Sequence, residues 1–139
     1  MPDAPCRILF VDDDPIVCEL TVYAMEVKGF QCDSAQSGVH ALKMVNRNHH
    51  VESYDAVVTD LHMPLINGHA LALDLLARRH APLIFVLTAV TEPKLTADLL
   101  KRGVAEVFFK PPDFELIATT LSSLIERRRA QQKLRAAWS

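Results

Sequence analysis

Long hydrophobic runs are missing from this chain of 139 residues. No apolar stretch reaches the ~18 consecutive residues of a membrane-spanning helix, so no bilayer span is expected. The first residues, "MPDAPCR", lack the basic start and apolar stretch of a secretion signal. Cysteine is sparse. Cys6, Cys18 and Cys32 are an odd number without CxxC spacing, which argues against a disulfide framework or a zinc site and fits a reducing cytoplasm. They read as small apolar residues. An excess of positive charge is lacking too. The formal net charge is −2, whereas a nucleic-acid-binding domain is usually strongly basic. No internal repeat, low-complexity linker or second domain is visible. The only stretch with loop composition outside the pattern below is "NHHVES" (48–53), where His49 and His50 read as solvated residues with no metal-ligand spacing.

What is present is a series of short apolar runs. "RILFV" (7–11), "YDAVVT" (54–59), "PLIFVLT" (82–88) and "EVFF" (106–109) are rich in Val, Ile and Phe, as strands are. They do not alternate with polar residues, which implies burial on both faces of a parallel sheet. "FQCDSA" (30–35) does alternate and is expected nearer an edge. Helical patterns separate the runs. Asp14 and Pro15 open one that closes at Gly29. Ser37 caps a second. A third, "NGHALALDLLARRH", carries Leu71, Leu75 and Leu76 on one stripe and is expected to end in Arg78, Arg79 and His80. Pro93 and Gly103 bracket a fourth, and Asp113 caps a fifth, with Phe114, Ile117, Leu121 and Leu124 at helical spacing. Strand–helix repeated five times predicts one α/β domain: a doubly wound, five-stranded parallel sheet with helices on both faces.

In open α/β sheets, sites form at the carboxyl ends of the strands. There the sequence places Asp12, Asp13 and Asp14, then Asp60, then Thr88, then Lys110. Clustered carboxylates repel unless something positive lies among them. A hard cation such as Mg²⁺ takes one or two carboxylates together with waters and a phosphate oxygen. Lys110 and Thr88 have the chemistry to stabilise the oxygens of a transferring phosphoryl group, and Asp60 is a candidate carboxylate nucleophile. Each of these residues also has a structural alternative. Asp14, before Pro15, reads as a helix cap. Met63, Pro64 and Gly68 read as a stiff, tight turn that presents the acid.

With these residues in view, "ILFVDDD", "VVTDLHMPLING", "VLTA" and "FFKP", including the DxxMPxxxG spacing from Asp60 to Gly68, resemble the receiver domain of two-component response regulators. The resemblance covers about residues 6–126 and leaves 127–139 as a basic helical extension or linker. It implies a flavodoxin-like receiver fold in a cytoplasmic signalling domain that is not itself an enzyme. It implies that Asp60 is the phosphoacceptor, served by a sensor histidine kinase or phosphotransfer protein. Asp13 and Asp12 are implied Mg²⁺ ligands, with Asp60 and the backbone carbonyl of His62 completing the protein's set. Thr88 and Lys110 are implied phosphoryl-oxygen ligands, and the Lys110–Pro111 bond is implied to be cis. A downstream protein or a covalently linked output domain reads the signal, and a homodimer is a further option.

The sequence departs from the family at Val107, three residues before Lys110, where an aromatic whose rotation reports phosphorylation is frequent. Valine cannot make that swing. His62 and Val90 fall where family members tune hydrolysis of the acyl phosphate. Val90 has no polar group, and His62 either orients a water or shields the site. Pro112 stiffens the start of the last helix. Two rival readings remain. One is a phosphorylation-independent pseudo-receiver that works as an interaction module. The other is a haloacid-dehalogenase-like phosphatase, through Asp12 and Asp14, although Ile16 stands where those enzymes carry Thr or Val. Residues 1–125 carry a net charge of −6 and residues 126–139 one of +4. The basic tail reads as a solvated helix face, a dimer coiled coil or a contact for an acidic partner, and Trp138 hints at a contact.

Overall fold

The computed structural model describes residues 4–47, 54–63, 67–89 and 92–138. The expected loop over 48–53 with its two histidines, together with Pro64 and Val90, lies outside them. Five strands and five helices alternate: β1 (Arg7–Val11), α1 (Pro15–Val27), β2 (Gln31–Ala35), α2 (Gly38–Arg47), β3 (Ala56–Thr59), α3 (Gly68–Leu76), β4 (Leu83–Thr88), α4 (Pro93–Arg102), β5 (Glu106–Phe109) and α5 (Phe114–Trp138). The sheet is parallel throughout, in the order β2-β1-β3-β4-β5. The alternating strand β2 is therefore at an edge, as its polarity requires, and the unbroken apolar runs β1, β3 and β4 are central.

The period of two along each strand sorts the core into two layers. Leu9, Val57, Ile84, Val86 and Val107 meet α2, α3 and α4 on one face. Ile8, Val58, Phe85 and Phe108 meet α1 and α5 on the other, through Met25, Ile117, Leu121 and Ile125. Phe85 and Phe108 stack at 6.0 Å between ring centroids. Val107 is buried and pairs in register with Val86.

Caps end the elements where the sequence supplies them. The Asp14 carboxylate accepts the Ile16 N–H, the Ser37 hydroxyl accepts the His40 N–H, and the Asp113 carboxylate accepts the Leu116 N–H. The structure corrects the expected end of α3. The helix stops at Leu76 with Ala77 as its cap, so Arg78, Arg79 and His80 lie beyond it. Between Leu76 and Pro82 the only apolar residues are alanines, too small to hold another turn on the sheet, and Pro82 biases Ala81 away from helix.

The cysteines are free thiols. Cys18 is buried, and its Sγ donates to the Asp12 carbonyl. Burial, reinforced by the charges of Glu26 and Asp33, pushes the Cys32 thiol up to about 12. Cys32 is therefore protonated throughout the physiological range, and the thiolate is the reactive form. In folded protein at pH 8 a thiol reagent is expected to leave Cys32 unmodified, with modification appearing in denaturant, as read by peptide mass. Fast labelling of Cys32 in the native state would contradict this environment.

Candidate functional site

The carboxyl ends of β1, β3, β4 and β5 form one rim because the sheet is parallel. β1 delivers Asp12 and Asp13. The Asp12 N–H donates to the Ala35 carbonyl, which fixes its backbone, and its Oδ1 accepts the Asp14 N–H at 2.9 Å. β3 delivers Asp60, whose N–H donates to the Val11 carbonyl at 2.9 Å. Asp12, Asp13 and Asp60 each place a carboxylate oxygen within 4.8 Å of the others. Asp14 is spent on its cap.

β5 delivers the counter-charge. The Lys110 ammonium donates to Asp12 Oδ2 at 2.7 Å and to Asp60 Oδ2 at 2.9 Å. All three side chains are largely buried, at 22%, 10% and 12% exposed respectively, so these pairs are poorly screened. Burial pushes the Asp12 carboxyl above its ordinary range, the Asp60 charge pushes it the same way, and the bond from Lys110 offsets only part of this. Burial lowers Lys110, but its bonds to the two carboxylates outweigh that and hold it above its usual value. Lys110 thus stands as the cation of this acidic site, and there remain more carboxylates than positive charges.

Thr88 ends β4, fully buried, and its carbonyl accepts the Lys110 N–H at 2.9 Å. That bond ties the last residue of β4 to the start of the Lys110–Pro111 segment, whose peptide bond is cis. His62 is exposed. Its N–H makes a long, 3.3 Å contact with Asp60 Oδ1, and its ring Nε2 lies 3.9 Å from the Glu92 carboxylate that precedes α4. Sequence reasoning did not anticipate the Glu92 partner, since nothing local links residues thirty apart. It expects Gly68 as a tight-turn residue, and the structure adds the reason. A Cβ there would lie 1.7 Å from the Asp60 carbonyl oxygen, and the Gly68 N–H donates to the Leu61 carbonyl. The start of α3 thus lies directly against the backbone of the candidate acceptor. Leu61 and Met63 are buried.

A family model for the response regulator receiver domain matches residues 8–122. The chain belongs to that family. Among similar proteins, the transcriptional regulatory protein MalR of Bacillus subtilis is 32% identical over 117 residues, covering 84% of this chain and 48% of MalR. The sensor histidine kinase RcsC of Escherichia coli K12 is 32% identical over 125 residues, covering 88% of this chain and 12% of RcsC. The receiver therefore spans about half of one relative and about an eighth of the other. Among solved structures, a response regulator receiver domain protein from Clostridium thermocellum superposes with a TM-score of 0.83 at 21% identity, covering 91% of this chain and 98% of that one. The signal receiver domain of a Luxo repressor protein from Vibrio parahaemolyticus gives 0.85 at 16% identity, covering 94% and 98%. At those identities the likeness is one of fold. No helix among the described residues is long and apolar enough to cross a membrane.

Proposed function

We propose that this receiver accepts a phosphoryl group on Asp60 from a histidine kinase or phosphotransfer protein, in a Mg²⁺-dependent reaction. The observation that carries the reading is the lysine-bridged carboxylate cluster at the rim of the sheet. Three acidic side chains converge with one ammonium between two of them, which is costly to build unless a further cation and an anionic group complete the site.

The residues fit the metal. Asp12, Asp13, Asp60 and the carbonyl oxygen of His62 are hard oxygen donors of the kind Mg²⁺ selects. When bound, Mg²⁺ supplies positive charge that attracts phosphoryl oxygens. The protein does the rest by position and charge. An Asp60 carboxylate oxygen attacks phosphorus. The O–P bond forms as the donor's N–P bond breaks, and the departing imidazole keeps the electron pair and takes up a proton. Lys110 and Thr88 face the phosphoryl oxygens at the ends of β5 and β4, and the His62 ring shields the site or orients water in the hydrolysis that resets it. Residues 6–126 constitute the receiver and 127–139 a basic helical extension toward an output domain or partner.

The test is intact mass after incubation with a small acyl phosphate, with and without Mg²⁺. A single phosphoryl adduct that requires Mg²⁺ is expected. No adduct in either sample would leave the phosphorylation-independent module as the better reading. Lys110→Ala is expected to slow adduct formation about 100-fold or more, in line with removal of one preorganised charge donor, as read from the time course of the adduct.

A further inference from the structure

A second charged feature lies at the other pole of the sheet, around the N-terminal ends of β3 and β4. There α5 continues past the body, and every residue from Ala130 to Trp138 is exposed. Between this overhang and the turn that follows α3 runs a cleft of about 940 Å³. Among the described residues, five arginines line it, with His80, against a single acid, Asp55. That acid is already spent, since it accepts from Arg129 at 2.9 Å and from the Arg7 N–H at 2.8 Å.

The arginines divide into two groups. Arg78, Arg128 and Arg129 are fixed. Arg78 binds Asp74 and Asn46, Arg128 donates to the Ala81 carbonyl, and Arg129 also holds the Ala4 carbonyl. The side chains of Arg79, His80 and Arg135 make no hydrogen bond or ion pair among the described residues. They rim a cleft whose walls include the apolar side chains of Val45, Pro82 and Ile125. On the overhang, Leu134 and Trp138 are 64% and 86% exposed and share a surface groove with Gln131 and Arg135. Tryptophan and arginine are the side chains most enriched where a few residues carry an interface.

We infer that this cleft and the overhanging turns of α5 bind an acidic, amphipathic peptide segment of a partner protein, and do so independently of the state of Asp60. Unpaired guanidiniums call for carboxylates, and the apolar walls with Leu134 and Trp138 call for aliphatic or aromatic side chains between them. A nucleic acid fits less well. Its charge continues in both directions, and residues 1–125, with a net charge of −6, repel whatever extends beyond the basic patch. A short segment meets only the patch. Independence follows from position. β4 runs from this pole to the rim that carries Thr88, and six strand residues span about 20 Å, with Arg128, Arg129 and Arg78 pinned to the body between. The receiver thus has two separable surfaces, one chemical and one for tethering.

The test uses the full chain and a fluorescein-labelled peptide of fifteen or so residues with Glu at most positions and Leu and Phe at helical spacing, followed by anisotropy and by Trp138 emission. Saturable binding that weakens as salt rises is expected. The double charge reversal Arg79→Glu, Arg135→Glu touches only exposed groups without described partners. It is expected to weaken binding at least tenfold while circular dichroism is unchanged. Trp138→Ala should weaken binding several-fold, and Asp60→Asn should bind as wild type does. No binding to the peptide, or binding indifferent to the charge reversal, overturns the inference. A single-stranded oligonucleotide bound more tightly than the peptide, and lost on the same reversal, would reassign the cleft to nucleic acid. An affinity changed several-fold by Asp60→Asn would deny the independence of the two surfaces. None of these results bears on whether Asp60 is phosphorylated.

Discussion

Asp60→Asn is expected to abolish the phosphoryl adduct, whereas Asp12→Asn is expected to slow its formation and lower the Mg²⁺ dependence without eliminating it. The contrast follows from what each oxygen does. Asparagine matches aspartate in shape and keeps one oxygen to accept from Lys110, but its amide is no nucleophile toward phosphorus. The substitution also removes a negative charge that pushes Asp12 upward, so the folded state loses repulsion. Loss of label then cannot be put down to misfolding, and an unchanged or raised melting temperature is the control. Asp12 accepts from Lys110 at 2.7 Å and, in the proposed reaction, makes no bond to phosphorus. On the proposed function, its removal costs a Mg²⁺ ligand and leaves the nucleophile in place. The opposite pattern, with label on Asp60→Asn and none on Asp12→Asn, would place the nucleophile on β1 and revive the phosphatase reading.

The order of the elements was legible because each strand here is a short apolar run and each helix carries its own cap signal. Asp14, Ser37 and Asp113 cap as expected because a cap is a local event, settled by the hydrogen bond between a side chain and an N–H two or three residues on. The candidate site was legible for a related reason. Parallel strands bring all their carboxyl ends to one rim, so knowing where each strand ends places Asp12, Asp13, Asp60, Thr88 and Lys110 together without any knowledge of contacts. What could not be read was non-local. Arginines suit a helix end and so predict a third helix reaching His80, yet it is packing on the sheet that sustains a helix, and that packing ends at Leu76. The strand expected from Tyr54 begins at Ala56. The Asp55 carboxylate is drawn away to Arg129 and the Arg7 amide, and the Tyr54 hydroxyl donates to Asp33. Asp33 is twenty-one residues distant, and no local pattern announces it.

Val107 shows both sides of this. Its identity alone removes the aromatic swing, and its position on β5 adds that it is packed among Val86, Leu99 and Val104 in the layer under α4. The neighbouring phenylalanines do not replace it in place. Phe108 turns to the opposite layer and stacks on Phe85, and Phe109 is half-exposed at the strand's end, in register with Thr88. Position 107 therefore offers no ring that could change pockets, and the proposed function calls for a signal carried by the β4 and β5 ends that bear Thr88 and Lys110.

The largest stability effect is expected at Gly68, and it separates steric from conformational roles of glycine. At Gly68→Ala, the new Cβ would sit 1.7 Å from the Asp60 carbonyl oxygen and 2.8 Å from Leu61 Cα. Both obstacles are backbone, which cannot rotate aside as a side chain can. Overpacking in a yielding core costs about 1–3 kcal/mol, so a backbone clash belongs at or above the top of that range. A loss of about 3 kcal/mol lowers the melting temperature by roughly 10 °C in a domain of this size. The displaced element is the segment that holds Asp60, so adduct formation should fall as well, even at a temperature where the variant is folded. Gly29→Ala is the control. Gly29 has φ +97° with nothing within 4 Å of the added carbon, so its cost is conformational alone, about 1–2 kcal/mol. It lies after α1, remote from the rim, and its variant should lose stability while labelling at the wild-type rate. If Gly68→Ala labelled at the wild-type rate with no loss of stability, the close approach of α3 to the Asp60 backbone would have no part in positioning the acceptor.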